Sequence, residues 1–252
     1  MKVSIITTCY NRKDTIGDAI KSVLAQTYPD IEYIIVDGAS KDGSWEVIKQ
    51  YKDKVAVAVS ETDHGMYEAI NKGIRMATGD IVGLIHSDDF FYSNDTVAHI
   101  VKKFEETGAD LVYGDGLFVD SKNTDNVIRN WVSGTYSKHK IREGWLPLHT
   151  TVYIRRGVFD KLGLYNEAFR ISADSDLLVR YLYDANLKVA YLPEYIIKMR
   201  MGGLSTDPVK TRKKWLEDIA MYRKHNLPGY RTLARKVLSK IPQFISAKLI
   251  QA

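Results

Sequence analysis

The 252-residue chain is poor in cysteine and contains no long apolar run. Its single thiol, Cys9, excludes an intramolecular disulfide framework and a cysteine-based zinc site, and it is compatible with a reducing compartment. No apolar segment approaches the roughly 18 residues that a membrane-spanning helix needs. The chain enters a predicted strand at its first residues, so we expect no signal peptide and a cytoplasmic location.

The chain also lacks the glycine-rich loops that hold phosphate in many nucleotide-binding proteins. The first predicted strand is followed by Thr8-Cys9-Tyr10-Asn11, and neither a G-x-G-x-x-G segment at this place nor a G-x-x-x-x-G-K-[S/T] segment occurs. These absences exclude a pyridine-dinucleotide fingerprint and a P-loop. They also argue against a sugar-nucleotide pyrophosphorylase, which would need a glycine-rich basic loop here, whereas the first glycine is Gly17.

Positive charge is concentrated at the C-terminal end of the chain, whose net charge is +5. Residues 209–252 hold 11 Lys and Arg against 2 Asp and Glu, whereas residues 1–208 hold 25 against 29. The body is therefore weakly acidic, and we predict that the protein does not bind nucleic acid.

Strand and helix patterns alternate through the first 113 residues. Short apolar runs predict strands at 2–8, 31–37, 55–60, 81–86 and 110–113. The segments between them place apolar residues at helical spacing. This alternation predicts an α/β fold with a mostly parallel, Rossmann-like sheet and helices on both faces.

The alternation lapses after residue 113. Short strands near 116–120, 126–131 and 150–155 and a helix at 174–185 predict a mixed half laid onto the first sheet. Two basic helices are predicted after that, at about 208–226 and 229–249. We therefore predict one domain over 1–208, divided at about 113 into a nucleotide-binding half and an acceptor-side half, and a C-terminal segment over 209–252.

Polar residues follow the first, second and fourth predicted strands. They include Tyr10, Asp37 and the adjacent pair Asp88-Asp89. Because the carboxyl ends of parallel strands meet at one edge, these residues should line a single cleft. Adjacent carboxylates there repel each other, and a Mn²⁺ or Mg²⁺ ion carrying substrate phosphates would relieve the repulsion. The alternative is that the segments at Asp37 and at Asp88-Asp89 are plain polar turns whose side chains cap the next helix.

Five segments also carry a family resemblance. They are 4–11 (SIITTCYN), 36–43 (VDGASKDG), 61–73 (ETDHGMYEAINKG), 77–80 (ATGD) and 87–89 (SDD). Their order and spacing resemble family 2 glycosyltransferases with the GT-A fold, over about residues 2–205. The subgroup that the chain most resembles builds bacterial surface polysaccharides. The resemblance implies inverting transfer of one sugar, with a UDP-sugar as the expected donor, to a hydroxyl of a glycan or lipid-linked acceptor.

The resemblance also implies roles for individual residues. Asp89 would ligate the Mn²⁺ or Mg²⁺ ion, while Asp37 would bind the base and Asp63 would belong to a loop that closes over the nucleotide. The full set expected at the nucleotide sugar is Thr8, Tyr10, Asn11, Asp37, Asp63 and Asp88.

Inverting transfer needs a general base that deprotonates the acceptor hydroxyl. Asp174, in Ile171-Ser172-Ala173-Asp174-Ser175-Asp176, matches the acidic helix start at which the family places this base, and Asp176 is the second candidate. The alternative is that Asp174 caps the helix. His149 and Trp145 are candidate acceptor contacts, with a structural histidine and a core aromatic residue as the respective alternatives.

Two departures from the family pattern bear on activity. Processive members carry a Gln-x-x-Arg-Trp motif and membrane helices, whereas this chain has Arg212-Lys213-Lys214-Trp215 and no spanning segment. We therefore predict single addition. A catalytically silent module that binds nucleotide sugar or glycan is the alternative function, and it would be favoured if Asp89 or Asp174 were missing. The sugar, the acceptor and the oligomeric state, including a homodimer, are left open.

The second C-terminal helix has the pattern of an interfacial helix. Apolar residues from Tyr230 to Ile241 recur at helical spacing, and Arg231, Arg235, Lys236 and Lys240 lie beside or opposite them. This predicts peripheral attachment to an anionic membrane surface at the inner face of the plasma membrane. The alternative is that the apolar stripe packs on the body of the protein.

Overall fold

A computed structural model of the protein describes residues 1–202 and 211–250. The predicted boundary at 208 lies outside the described residues. The strands are β1 (Val3–Cys9), β2 (Ile31–Asp37), β3 (Val57–Ser60), β4 (Ile81–Leu84), β5 (Asp89–Phe91), β6 (Leu111–Val119), β7 (Val127–Trp131), β8 (Tyr153–Arg155) and β9 (Val189–Arg200). The helices are α1 (Lys13–Leu24), α2 (Ser44–Lys49), α3 (Met66–Met76), α4 (Thr96–Thr107), α5 (Lys138–Arg142), α6 (Arg156–Leu162), α7 (Ala173–Val179), α8 (Thr211–Lys224), α9 (Gly229–Leu238) and α10 (Ile241–Ile250).

Within the described residues the strands form one sheet in the order β3-β2-β1-β4-β8-β6-β9-β5, and β7 pairs with β6. The first part is parallel, with β1 between β2 and β4 and with β3 outside β2. The second part is mixed, because β8 is antiparallel to β4 and β6 whereas β9 is parallel to β6. The predicted α/β fold class is confirmed.

Alternating side chains of the central strands enter two cores, one on each face of the sheet. On one face Ile5 and Ile35 pack with Ile16 of α1. On the other face Ile6 and Ile34 belong to the core that contains α3. All five side chains are almost fully buried. Burial on both faces explains why β1 and β2 are rich in β-branched residues and do not alternate strictly between apolar and polar residues.

The second half differs from prediction in three elements. The strands predicted at 110–113 and 116–120 are one strand, β6, whose pairing with β9 shifts register near Asp115. The predicted division at 113 therefore falls inside a strand, and both halves share one sheet. β9 and the short β5 are additional strands that the apolar patterns did not predict. The segment predicted as a strand at 150–155 begins with a short 3₁₀ turn, His149–Thr151, before β8.

The C-terminal helices pack on the body of the protein. Asp218 and Tyr222 of α8 are buried, and so is Leu233 of α9. The predicted second basic helix is divided at Ser239-Lys240 into α9 and α10, and α10 packs on β7. None of the helices in the described part of the chain is long and apolar enough to cross a membrane.

Candidate active site

The loops after β1 and β2 are joined by hydrogen bonds through Asn11. Asn11 adopts a left-handed backbone conformation, with φ at 52°, which asparagine tolerates better than bulkier residues. Its backbone N–H donates to Ser40 Oγ over 2.9 Å, and its Oδ1 accepts from the Lys41 N–H over 3.0 Å. Asn11 therefore organises the loop that follows β2, while Thr8 is buried at the end of β1.

Tyr10 presents an open aromatic ring beside this junction, because 63% of the residue is exposed. Gly38 is the close neighbour that shapes the space around the ring. A Cβ atom at Gly38 would lie 3.2 Å from the Tyr10 ring and 2.6 Å from Asp63 Oδ2. The structure thus brings together Tyr10, the Asp37–Gly38 turn and Asp63, as the sequence predicts for a nucleotide pocket.

Asp37 lies at the end of β2 and is fully buried. Its Oδ1 accepts from Ser40 Oγ over 2.5 Å, and its Oδ2 accepts from Ser60 Oγ over 2.6 Å and from the Ser40 N–H over 3.0 Å. These bonds fix the turn after β2. A base that binds Asp37 would have to share oxygens that already have partners.

Asp63 precedes α3 in the loop that faces this pocket. Its Oδ1 accepts from the Gly65 N–H over 2.9 Å. Burial raises the pKa of Asp63 above its usual range, since a charged carboxylate is disfavoured away from water. Gly65 has a φ of 144°, a conformation that favours glycine. The Asp63–Gly65 turn is therefore a locally ordered entrance to α3.

Asp89 is the buried member of the paired aspartates. It is 1% exposed, its Oδ1 accepts from the Arg200 N–H over 3.2 Å, and its Oδ2 has no hydrogen-bond partner. Burial and the charge of Asp88 raise the pKa of Asp89 well above its usual range. Asp88 is more open and lies 3.7 Å from Arg12 Nε, while Arg200 Nη1 donates to its backbone carbonyl over 2.9 Å.

The Asp89 site fits a divalent cation. A buried carboxylate oxygen without a partner is costly unless a positive charge reaches it. Groups of three or more metal-ligating side chains do not occur in the described residues. Asp89 would therefore be the main protein ligand, and substrate phosphates and water would complete the shell, as is usual for Mg²⁺.

The acceptor-side candidates meet at a second point. His149 Nδ1 lies 3.7 Å from Asp174 Oδ2, and the rings of His149 and His86 are 5.1 Å apart. His86 stands three positions before Asp89 and two positions after the end of β4. The two histidines therefore link the candidate base to the segment that bears the paired aspartates.

The surroundings of Asp174 favour its ionised form. Burial alone would raise the pKa of Asp174, but the charges of His149, Lys214 and Lys236 reverse this and hold it below its usual range; near pH 7, where His149 is neutral, the two lysines supply the charge. Its Oδ1 accepts from the Ser175 N–H over 2.7 Å, and 28% of the side chain is exposed. Burial lowers the pKa of His149 to about 4, so this imidazole is neutral near pH 7. Asp174 is thus an accessible, charged acceptor of protons.

Asp176, the second candidate base, faces away from this point. It is fully buried, and its Oδ1 accepts from Lys224 Nζ over 2.8 Å and from His225 Nε2 over 3.1 Å. Both partners lie at the end of α8 or just after it. Asp176 therefore joins α7 to α8, and the geometry favours Asp174 as the base.

Trp145 is placed mainly by core contacts. Its indole Nε1 donates to the Ser133 carbonyl over 2.8 Å, and its ring packs edge-on against Tyr113 at 5.8 Å between centroids. The side chain is only partly exposed. Contact of Trp145 with an acceptor stays a prediction.

Sequence reasoning missed the cations beside the candidate base. Lys236 Nζ lies 3.1 Å from Asp218 Oδ2 and 3.3 Å from Ser175 Oγ, next to Asp174. Lys214 is four residues before Asp218 on α8, so both lie on one face of the helix. The spacing of Lys214 and Asp218 is the signal that the sequence offers, but it does not show that this face of α8 packs on the body of the protein.

Comparisons with known proteins identify the family of the chain. Residues 4–163 match the family model "Glycosyl transferase family 2". The chain is 29% identical to a PGL/p-HBAD biosynthesis glycosyltransferase of Mycobacterium bovis over 223 aligned residues. The alignment covers 86% of this chain and 84% of the relative.

Solved structures show the same fold. Residues 1–349 of TarS from S. aureus, in complex with UDP-GlcNAc, match with a TM-score of 0.71 and 17% identity, over 98% of this chain and 79% of that one. The chain spans 43% of a longer TarS structure. The mannosyltransferase PcManGT from Pyrobaculum calidifontis, in complex with GDP-Man and Mn²⁺, matches with a TM-score of 0.65 and 18% identity, over 98% of this chain and 73% of that one.

The family match spans more than half of the chain, and the fold agrees with it. The protein therefore belongs to glycosyl transferase family 2, has a GT-A fold and is a glycosyltransferase.

Proposed function

We propose that the protein transfers one sugar from a nucleotide-diphosphate sugar, with UDP as the nucleotide, to a hydroxyl of a glycan or lipid-linked acceptor, with inversion. The donor half is 1–113, the acceptor half is 114–208 and the C-terminal segment is 209–252. The proposed role is the synthesis of bacterial cell-surface polysaccharide, and the bacterial relative named for PGL/p-HBAD biosynthesis supports a biosynthetic glycosyltransferase.

One observation carries this proposal: the continuous contact from the paired aspartates to the candidate base. His86 follows β4 with Asp88 and Asp89, its ring packs on His149, and His149 Nδ1 lies 3.7 Å from Asp174 Oδ2. A sugar bound at the paired aspartates would therefore lie close to an ionised carboxylate. That is the arrangement that a single displacement with inversion requires.

Each side chain has a separate task. Asp89 would hold a Mn²⁺ or Mg²⁺ ion, which neutralises the charge of the leaving nucleoside diphosphate when bound. Asp174 takes the proton from the acceptor hydroxyl at Oδ2 or Oδ1. Neutral His149 lies beside Asp174, with its Nδ1 3.7 Å from Asp174 Oδ2. Tyr10 offers its exposed ring to the nucleotide base.

UDP is proposed over GDP for two reasons. The fold neighbour TarS was solved in complex with UDP-GlcNAc and in complex with UDP. The pocket walls at Tyr10 and Asp63 are brought close together by Gly38, which suits a small pyrimidine. Calorimetry of UDP and GDP binding in Mn²⁺ tests this choice, and tighter GDP binding would contradict it.

A donor screen tests the proposed function as a whole. The protein is incubated with Mn²⁺ and a panel of nucleotide sugars, and release of nucleoside diphosphate is measured with the Asp174→Asn variant in parallel. We expect release from a UDP-sugar by the wild type and loss of that release in the variant. Binding of UDP-sugar without any turnover, with or without added glycans and lipid acceptors, would favour the silent binding module instead.

We also propose that the C-terminal helices touch an anionic membrane surface at the inner face of the plasma membrane. Exposed apolar side chains cluster on α9 and α10. They are Tyr230, Val237, Leu238, Ile241, Phe244 and Ile245. Part of the predicted stripe instead packs inward, since Leu233 is buried. Two of the predicted surface cations are also engaged, because Arg235 pairs with Glu143 and Lys236 pairs with Asp218.

Vesicle co-sedimentation tests this attachment without removing α8, whose buried residues are needed for the body. The wild type should pellet with anionic vesicles at low salt and be released at high salt. The double variant Leu238→Ser, Ile241→Ser should remain soluble and folded. Equal pelleting of the variant, or no pelleting of the wild type, would contradict the proposal.

A further inference from the structure

Four cationic side chains from four separate places in the fold form a cluster that reaches Asp174 through Lys236, whose Nζ lies 3.3 Å from Oγ of the adjacent Ser175. Arg129 comes from β7, Lys214 from α8, Lys236 from α9 and Lys240 from the turn between α9 and α10. We call these four residues the cationic cluster. The charge of Lys214 acts on both His149 and Asp174, and the charges of Lys214, Lys236 and Arg129 all act on Lys240. The cluster therefore adjoins the acceptor end of the site.

The cluster carries more positive than negative charge. Lys236 pairs with Asp218, and Asp174 supplies the other opposing charge. Among the described residues, no carboxylate lies within ion-pair distance of Lys214 or Lys240. Burial and the neighbouring cations lower the pKa of Lys214, and they lower the pKa of Lys240 to about 7.

Arg129 gives a second, independent sign of a missing ligand. The residue is only 7% exposed, and its Nη2 is buried without a hydrogen-bond partner. Its Nε donates to Gln243 Oε1 over 2.6 Å, and the rings of Phe118 and Trp131 hold the guanidinium in place. A fixed, buried guanidinium with an open donor is suited to a phosphate oxygen.

The donor diphosphate is not the natural occupant. Lys236 Nζ lies 3.3 Å from Ser175 Oγ, and Ser175 is adjacent to Asp174, so the cluster borders the candidate base and not the paired aspartates. Lys214 and Lys236 act on Asp174, and Lys214 also acts on His149, where the acceptor hydroxyl must lie. We propose that Arg129, Lys214, Lys236 and Lys240 bind a phosphate or diphosphate group carried by the acceptor, so that the acceptor is a phosphorylated sugar or lipid. This proposal rests on the proposed function.

Inorganic diphosphate in EDTA is the probe, because removing divalent metal separates the cluster from the Asp89 site. Calorimetry should show binding to the wild type. Lys214→Gln and Lys240→Gln should each weaken it by about 10- to 100-fold, the usual worth of a charged hydrogen bond. Lys213→Gln, the same charge change at the exposed neighbour of Lys214, should leave it unchanged. Thermal unfolding of each variant confirms that it is folded.

A second titration, of UDP in Mn²⁺, should give equal affinity for the wild type, Lys214→Gln and Lys240→Gln. Parallel loss of UDP binding would overturn the proposal by assigning the cluster to the donor, and so would unaltered diphosphate binding in both variants. If UDP with Mn²⁺ does not bind to any form while the diphosphate results hold, the proposed function fails and the anion site stands.

The source of the phosphate is decided with geranyl diphosphate. Tighter binding than inorganic diphosphate, with the difference removed by Leu238→Ser, supports a lipid-borne group, since Leu238 is exposed two residues from Lys240. Equal affinity supports a phosphorylated soluble sugar.

Discussion

The donor edge and the acceptor end of the site are built in different ways. The donor edge uses loops that directly follow β1, β2 and β4, so that its residues lie within 1–89 and next to strands. The acceptor end draws Asp174 from α7, His149 from a short turn and its cations from β7 and the C-terminal helices. A parallel sheet brings the first set together by topology alone, whereas the second set depends on tertiary packing.

The donor edge and the acceptor end also differ in the sign of the charge that is in excess. At the donor edge a buried carboxylate, Asp89, has an oxygen without a partner. At the acceptor end cations outnumber carboxylates, and they keep Asp174 ionised. The donor edge therefore fits a cation with its phosphates, while the acceptor end fits proton removal and an anion. Substitutions should separate donor binding from turnover accordingly.

Loss of the proposed metal ligand should have the largest effect. Asp89→Ala should abolish nearly all transfer, because the diphosphate charge is then not neutralised, and EDTA should do the same to the wild type. Nucleoside diphosphate release measures both. Full activity of the wild type in EDTA would contradict a metal at the donor edge.

Removal of the exposed ring at the donor edge should have an intermediate effect. Tyr10→Ala should weaken UDP binding by about 5- to 150-fold, the worth of one base stacked on an aromatic ring. Tyr230→Ala is the matched control, since Tyr230 is 67% exposed but lies on α9. Calorimetry in Mn²⁺ measures both, and equal affinity of the two variants would show that Tyr10 does not stack on the base.

Asp176 should affect stability but not chemistry. Asp176→Asn removes the buried charge that pairs with Lys224 and His225, which should cost about 3 kcal/mol of unfolding free energy. Urea denaturation measures this cost, with Asp160→Asn at an exposed position of α6 as the control. Turnover by the folded Asp176→Asn variant should be close to that of the wild type. A dead but stable variant would move the general base to Asp176.

The contact between Asp176 and His225 also predicts that the free energy of unfolding depends on pH, with a smaller effect than that of Asp176→Asn. Burial alone would lower the pKa of His225, but Asp176 and Asp184 reverse this and raise it. The stabilisation is therefore complete below the unfolded value of about 6.5 and is lost as the pH rises through the raised pKa. The unfolding midpoint of the wild type should fall over that range more than that of His225→Gln. His139→Gln, at an exposed position, should behave like the wild type.

The donor edge could be predicted from sequence because its chemistry follows its strands directly. β1, β2 and β4 are short apolar runs, and the polar residues after them are contiguous in the chain. β9 was not predictable in this way, since Pro193 interrupts it and proline is rare inside a strand. The register shift of β6 near Asp115 accommodates this irregular partner.

The acceptor end was only partly predictable, for a different reason. Asp174 and His149 could be proposed from their segments, and the structure brings them within 3.7 Å. Lys214 and Lys240 lie in a basic segment whose sidedness depends on how α8 and α9 pack. Helical spacing shows that Lys214 shares a face with Asp218, but it does not show that Asp218 is buried on the body.

The central claim is that the first half binds the donor and that Asp174 performs the proton transfer. It is tested most directly by Asp174→Asn, which keeps the shape of the side chain and removes its basicity. UDP affinity in Mn²⁺ should equal that of the wild type, while turnover should fall by about 10²- to 10⁴-fold. Normal turnover by a folded Asp174→Asn variant would contradict the account.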